Sequence, residues 1–108
     1  MVYDVIIIGA GLSGSFIARK INRSGFKTLL IEKSTTIGGR FSTKLVGEGI
    51  ADYGCQYLHP KSADLSNLIE ELGNKYIVKK TKINDSNNTY IAPYGMNKIP
   101  QYLSLGIN

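Results

Sequence analysis

A glycine-rich turn between a short apolar strand and a helix constrains the fold of this chain more than any other feature. Residues 5–8 are a valine and three isoleucines in an unbroken run, which is typical of a strand buried on both faces of a parallel sheet. Apolar residues within 12–24 recur at helical spacing, which leaves Arg19 and Arg23 on the expected solvent face. A second apolar run covers residues 28–31. This order predicts a right-handed, parallel βαβ unit.

The turn itself carries a phosphate-binding pattern. Residues 9–14 read Gly-Ala-Gly-Leu-Ser-Gly, a G-x-G-x-x-G that follows the strand and opens the helix. Gly9 permits the tight turn, Gly11 lets the backbone approach a pyrophosphate, and Gly14 allows the helix to pack close to the strand. The free N–H groups of the helix start attract the anion.

An acidic residue completes this pattern. Glu32 ends the second strand, 21 residues after Gly11, and its carboxylate can accept hydrogen bonds from a ribose 2′-hydroxyl. The sequence therefore predicts an adenine-dinucleotide site. On these residues alone NAD and FAD are both open, as is the alternative that the glycines serve only packing.

Composition excludes several other classes of protein. A chain of 108 residues with 43% hydrophobic and 19% charged residues predicts one compact domain. One cysteine and one histidine exclude a disulfide framework, a Cys₄ or Cys₂His₂ zinc site and a His₃ site, so no metal site is predicted. The charge of +5 is scattered, which indicates solubility rather than a nucleic-acid face. No basic leader or run of about 20 apolar residues is evident, so a cytoplasmic protein without membrane contact is expected.

The rest of the chain predicts short strands and one or two helices. Strands are expected at residues 41–46 and 50–53 around a glycine turn, and at 76–83 and 89–92 around the polar loop 84–88. A helix is expected over residues 64–72, capped by Ser62 or Asp64 and ended by Gly73, and a last one within 96–105 with Pro100 in its first turn. The fold class is thus α/β, a minimal Rossmann-type βαβ unit with an appended β-hairpin region.

Three smaller expectations concern side chains. Glu70 and Glu71 are expected to be solvated on a helix surface. Tyr53 and Tyr57 stand at strand-like spacing, which favours the core over a stacking role. Asp52 is expected to hold either the guanidinium of Arg40 or a backbone turn.

The segment after Glu32 resembles a known family. Beyond Glu32 and five intervening residues the chain reads Gly-Gly-Arg at 38–40, followed by Phe-Ser-Thr at 41–43. This pattern is similar to the flavin-containing amine oxidase superfamily, which includes monoamine oxidases, phytoene desaturases and renalase-like enzymes. Residues 51–57, Ala-Asp-Tyr-Gly-Cys-Gln-Tyr, and residues 92–99, Ala-Pro-Tyr-Gly-Met-Asn-Lys-Ile, resemble segments of the renalase-like subgroup.

The resemblance implies bound FAD. Its pyrophosphate would lie at the glycine turn, its adenosine ribose at Glu32, and the diphosphate–ribityl part beside residues 38–40. The reaction implied is oxidation of an amine or a reduced nicotinamide by hydride transfer to FAD, and the alternative is a non-catalytic flavin-binding module. No catalytic residue is assigned. The residues assigned to FAD are Gly9, Gly11, Leu12, Ser13, Gly14, Glu32, Lys33, Gly38, Gly39, Arg40, Phe41, Ser42, Gly54, Gln56 and Tyr57.

The chain is short for this family. It matches only about the N-terminal third, with residues 1–58 as the dinucleotide-binding core and 59–108 as the start of a substrate domain whose substrate is unknown. Two parallel strands alone leave apolar faces open, since Ile6 and Ile8 point one way while Val5 and Ile7 point the other. We therefore expect the chain to associate with itself or with another subunit.

Overall fold

A computed structural model describes residues 2–83 and 86–108 of the chain. Over these residues the structure contains three two-stranded sheets and three α-helices. The predicted α/β class with a Rossmann-type βαβ unit is confirmed. In chain order the elements are β1 (Val5–Ile8), α1 (Leu12–Arg23), β2 (Thr28–Ile31), a 3₁₀ turn (Gly39–Phe41), β3 (Thr43–Val46), β4 (Gly49–Asp52), α2 (Ala63–Asn74), β5 (Lys79–Ile83), β6 (Ser86–Ile91) and α3 (Lys98–Leu103).

The βαβ unit has one covered face and one open face. Strands β1 and β2 pair in parallel, and α1 packs against both of them. Val5 and Ile7 are half-buried on the face that α1 covers. On the opposite face Ile6 is 57% exposed and Ile8 is 84% exposed. The alternation predicted for β1 is therefore present, and only one of its two apolar sides is buried within this chain.

The main hydrophobic core lies beside this unit. Phe41 enters it from the 3₁₀ turn, Leu72 from α2 and Met96 from the turn before α3, and the last two are fully buried. Leu12 and Phe16 of α1 pack against the same core. This packing fixes the position of α1, whose first turn carries the glycine-rich motif, relative to α2 and α3.

Helix α2 is longer than its sequence pattern predicted. Ser62 is its N-cap and accepts a hydrogen bond from the Leu65 N–H at 3.2 Å. Gly73, expected beyond the end of the helix, lies inside it, because the hydrogen bonds continue to Asn74 and the chain reverses only at Tyr76, with φ of +60°. Glycine is more usual at such a position because it lacks a Cβ.

Strands β3 and β4 pair antiparallel in the first hairpin, and β5 and β6 pair antiparallel in the second. The second hairpin also differs from its prediction. Residues 86–88 were expected in the polar loop 84–88, but β6 begins at Ser86, because its pairing with Ile83 extends the β5–β6 ladder. Asn84 and Asp85, also part of the predicted loop, lie outside the described residues.

Arg19, Glu71 and Tyr102 join the three helices. Arg19 forms an ion pair with Glu71, and the Tyr102 hydroxyl donates to the same carboxylate at 2.6 Å. The expectation that Arg19 and Glu71 are solvated is wrong, because Arg19 is only 9% exposed and lies over the Tyr102 ring. Burial acts to raise the pKa of Glu71, but the hydrogen bonds from Tyr102 and Arg19 outweigh it and the pKa is lowered. The hydrogen bond to Glu71 raises the pKa of Tyr102.

The hydroxyl of Ser15 makes no hydrogen bond although the residue is fully buried in α1. Replacing Ser15 with alanine is expected to stabilise the protein by about 1 kcal/mol, because an unsatisfied buried hydroxyl is removed and alanine favours the helix. Urea unfolding monitored by circular dichroism measures the change. Ser66→Ala, at an exposed position in α2, is the matched control and gains only the helix preference. A Ser15→Ala variant less stable than wild type would mean that the hydroxyl has a partner.

Candidate dinucleotide-binding site

The turn between β1 and α1 has the geometry that its glycines predict. Gly9 has a positive φ of +103° and donates its N–H to the Ile31 carbonyl of β2 at 2.6 Å. A Cβ on Gly14 would lie 1.8 Å from the Gly9 carbonyl oxygen, so no other residue fits there. The N–H groups of Leu12, Ser13 and Gly14 begin α1 and have no acceptor within the helix. They form the end of a helix to which an anion is attracted.

The Glu32 carboxylate lies against this turn. It accepts the Ala10 N–H at 2.9 Å through one oxygen and the Ser34 N–H at 2.9 Å through the other. The Ala10 N–H makes the largest contribution to lowering the pKa of Glu32, and the charge of Lys33 adds to it. The carboxylate is therefore ionised at neutral pH. A carboxylate has about four acceptor positions, so two remain for ribose hydroxyls.

A second glycine segment closes on the first. The Gly38 N–H donates to the Ala10 carbonyl at 3.1 Å. A Cβ on Gly39 would lie 3.2 Å from the Gly11 Cα, so the two backbones approach as closely as glycines allow. The Ser42 hydroxyl donates to the Gly39 carbonyl and holds the 3₁₀ turn. Arg40, between them, is exposed.

Gly54 brings a third segment to the same place. A Cβ on Gly54 would lie 2.1 Å from the Arg40 carbonyl oxygen, which also accepts the Cys55 N–H at 2.7 Å. The structure thus brings together the turn at residues 9–14, Glu32 with its exposed neighbour Lys33, residues 38–42 and Gly54. All were predicted as one site, and their contact with a cofactor stays a prediction.

The remaining predicted site residues are placed differently. Phe41 is only 8% exposed and belongs to the hydrophobic core. Gln56 and Tyr57 are exposed on the segment after Cys55. Tyr53 and Tyr57 were expected in the core, but they are 68% and 48% exposed, because the hairpin that precedes them has no layer packed over it.

Ala10 is the site residue that the sequence did not single out. Ala10 is 1% exposed, its N–H donates to Glu32 and its carbonyl accepts the Gly38 N–H, so this one residue links all three segments through its two flanking peptide groups. The only available signal was a small residue between two glycines. Ser34, which also donates to Glu32, carries no sequence signal because the bond comes from its backbone.

Asp52 positions the turn before α3. Its carboxylate accepts the Thr43 hydroxyl at 2.6 Å and the Met96 N–H at 2.9 Å. Thr43 in turn accepts the Asn97 N–H at 3.1 Å. Of the two expectations for Asp52, the backbone turn is the one observed, and the first hairpin is thereby tied to α3.

The described part of the chain contains no cluster of three or more histidine, cysteine, aspartate or glutamate side chains able to hold a metal ion. None of the helices in that part has the length and apolar character needed to cross a bilayer.

Comparison with a family model gives a match over residues 7–72, which include the whole glycine turn, Glu32 and the Gly38–Gly39 segment. The family is described as NAD(P)-binding Rossmann-like domain. The matched region covers more than half of the chain.

Individual relatives are much longer than this chain. Putrescine oxidase from Kocuria rosea is 29% identical over 92 residues, which are 85% of this chain and 19% of that protein. A flavin-containing monoamine oxidase of Mycobacterium tuberculosis is 36% identical over 70 residues, 65% of this chain and 15% of its own length. A solved structure of putrescine oxidase bound to putrescine superposes with a TM-score of 0.62 at 31% identity, over 74% of this chain and 17% of that one. The chain therefore spans less than a fifth of these relatives.

Proposed function

The chain belongs to the family of NAD(P)-binding Rossmann-like domains, and we propose that it is the FAD-binding portion of a flavin-dependent oxidoreductase. The observation that carries the proposal is the ionised Glu32, held by the Ala10 N–H beside the uncapped first turn of α1. The helix end can bind the pyrophosphate of an adenine dinucleotide, and the carboxylate on the other side of the turn can accept from its adenosine ribose. The flavin-containing monoamine oxidase among the relatives supports FAD over NAD.

In this proposal each segment contacts a different part of FAD. The N–H groups of Leu12 and Ser13 bind the pyrophosphate, and Glu32 binds the adenosine ribose. Residues 38–40 run beside the diphosphate–ribityl part, where Arg40 supplies planar donors for phosphate or ring oxygens. Phe41, Ser42, Gly54, Gln56 and Tyr57 support or line this path. When bound, FAD supplies the acceptor of a hydride, while the protein supplies position and electrostatics.

The reaction proposed is oxidation of an amine or of a reduced nicotinamide. The similarity to putrescine oxidase supports the amine, and the segments at residues 51–57 and 92–99 support a renalase-like subgroup. A non-catalytic flavin-binding module is the second candidate. Single-turnover mixing of the flavin-loaded protein separates them, since bleaching of the flavin by an amine or NAD(P)H supports the enzyme and none supports the module.

The visible absorption spectrum of the purified protein tests cofactor binding itself. We expect a yellow protein, or one that becomes yellow and retains the colour through gel filtration after incubation with FAD. Retention of NAD with no retention of FAD would contradict the proposal and favour the alternative dinucleotide. A preparation that retains neither would contradict both.

We also propose that the open face of β1 and β2 is covered by another polypeptide, either a second copy or a different subunit. Ile6, Ile8 and Ile31 expose 57%, 84% and 43% of their surface there, and contiguous exposed aliphatic side chains of this kind mark interaction sites. Sedimentation velocity of the purified chain at micromolar concentration is expected to show association. Ile8→Lys is expected to reduce it, whereas Leu45→Lys on the exposed first hairpin is not. A wild-type chain that stays monomeric would contradict self-association.

A further inference from the structure

A groove between the end of α2 and α3 is lined by aromatic and basic side chains. Its volume is about 510 Å³, and the residues that line it include Tyr76, Tyr94, Tyr102, Lys75 and Lys98. We refer to it by these five residues as the tyrosine groove. No aspartate or glutamate is among the described residues that line it. None of its residues belongs to the segments assigned above to the dinucleotide.

Tyr76 is held in a backbone conformation that tyrosine disfavours. With φ of +60°, it is the only non-glycine residue in the described chain with a positive φ. It closes α2: its N–H donates to the Gly73 carbonyl at 3.0 Å, and the Ile77 N–H donates to the Leu72 carbonyl at 2.9 Å. Glycine makes these two bonds without strain. Backbone strain of this kind tends to persist where the side chain has a role.

The Tyr76 ring contributes little to the core. Tyr76 is 84% exposed, and Tyr94, which lines the same groove, is 71% exposed. Burial therefore does not compensate for the strain at Tyr76. Tyr76 and Tyr94 are instead both largely accessible to solvent at the same groove.

From this arrangement we propose that the tyrosine groove binds a planar aromatic molecule that carries a carboxylate or phosphate group. Tyrosine rings offer flat apolar faces to a planar ring, with a preference for offset stacking. Lys75 and Lys98 provide mobile positive charges for the anionic group. The volume falls within the range of roughly 300–1,000 Å³ that is usual for small-molecule sites.

Charge argues against a second copy of the chain as the occupant. The chain carries a net charge of +5, and an isologous contact through this groove would bring its two lysines toward the same two lysines of the partner. An anionic ligand offsets this charge instead of adding to it. The aromatic rings select a planar ligand over a simple inorganic anion.

The test is a titration of the ¹⁵N-labelled full chain with 2-naphthoate, in which binding is measured from the changes in amide chemical shifts. We expect saturable binding below about 1 mM, with shifts at Tyr76, Tyr94 and Lys98. The neutral analogue 2-naphthamide is expected to bind at least about tenfold more weakly, because it lacks the charge that the lysines attract.

Tyr76→Gly is the decisive variant, because it removes the ring and also the backbone strain. We expect its midpoint of thermal unfolding to rise by about 4 °C or more while its affinity for 2-naphthoate falls at least about tenfold. A purely structural tyrosine would not give this opposite change in stability and binding.

Lys98→Gln is expected to weaken binding severalfold. Tyr53→Ala and Lys44→Gln, at exposed positions on the first hairpin and the segment after it, are matched controls expected to bind as wild type.

Four results would overturn the proposal. These are unchanged 2-naphthoate affinity in Tyr76→Gly, equal affinity for 2-naphthamide, no binding at about 1 mM, or shifts confined to residues 9–14. The last would place the probe in the dinucleotide site rather than in the tyrosine groove.

Discussion

Replacing Gly14 with alanine is expected to unfold the turn between β1 and α1 and to abolish flavin binding. The added Cβ would lie 1.8 Å from the carbonyl oxygen of Gly9 and 2.9 Å from its carbonyl carbon. Both atoms belong to the backbone, so no side-chain rotation relieves the contact. The helix has to move away from β1, and the N–H groups of its first turn move with it.

The expected destabilisation by Gly14→Ala is about 3 kcal/mol or more, at the upper end of what overpacking costs. This is a large part of a total stability of roughly 5–15 kcal/mol. Urea unfolding measures the stability, and retention of FAD through gel filtration measures binding. Stability and FAD binding are expected to be lost together, because the same turn joins the sheet to the helix and, in the proposed site, binds the pyrophosphate.

Gly73→Ala is the matched control for this prediction. Gly73 is also inside a helix, but a Cβ there would meet nothing within 4 Å. The substitution is expected to stabilise the protein by about 0.5–1 kcal/mol, because alanine loses less backbone entropy in a helix. If Gly14→Ala behaved like Gly73→Ala and retained FAD, the close packing of α1 on β1 would be wrong.

Local patterns in the sequence were sufficient to predict the βαβ unit and to associate Glu32 with its glycine turn. The bounds predicted for β2 match the structure, and α1 differs by one residue. Glu32 was expected near the glycine turn from its spacing alone, and its carboxylate contacts that turn. These features depend on residues close in sequence, where strand and helix periodicity and the chemistry of glycine decide the geometry.

Contacts between distant segments were not predictable in the same way. Arg19 and Glu71 are 52 positions apart, and no local pattern indicates which acidic residue meets a given arginine. Ala10 acts through its peptide N–H and carbonyl, which every residue except proline possesses, so its side chain carries no signal. The sequence predicted that α2 ends at Gly73, but the chain reverses at Tyr76. The end of the helix is decided by the tertiary packing of Leu72 and Ile77, which no local pattern shows.

Replacing Glu32 with alanine is expected to weaken FAD binding by on the order of tenfold or more. The carboxylate has two roles in the proposed site: it accepts from the ribose, and it holds the Ala10 peptide that links the two glycine segments. Glu32→Ala removes both roles, whereas Glu32→Gln retains one oxygen acceptor without the charge. Glu32→Gln is therefore expected to bind FAD more tightly than Glu32→Ala and less tightly than wild type. Flavin fluorescence quenching in a titration measures the three affinities.

The dependence on pH separates the two roles of Glu32. The Ala10 and Ser34 N–H groups lower its pKa below the ordinary value of 4.5, so the folded state favours the ionised carboxylate. Its contribution to stability is therefore present above pH 4.5 and is lost as the pH falls through that value toward the lowered pKa. Without FAD, wild type is expected to exceed Glu32→Gln in stability at neutral pH, and the difference is expected to shrink below pH 4.5. Glu48→Gln, in the exposed turn of the first hairpin, is the matched control for removal of a carboxylate charge. A constant difference at all pH values would mean that the charge of Glu32 does not hold the turn, and its role would be limited to the ribose.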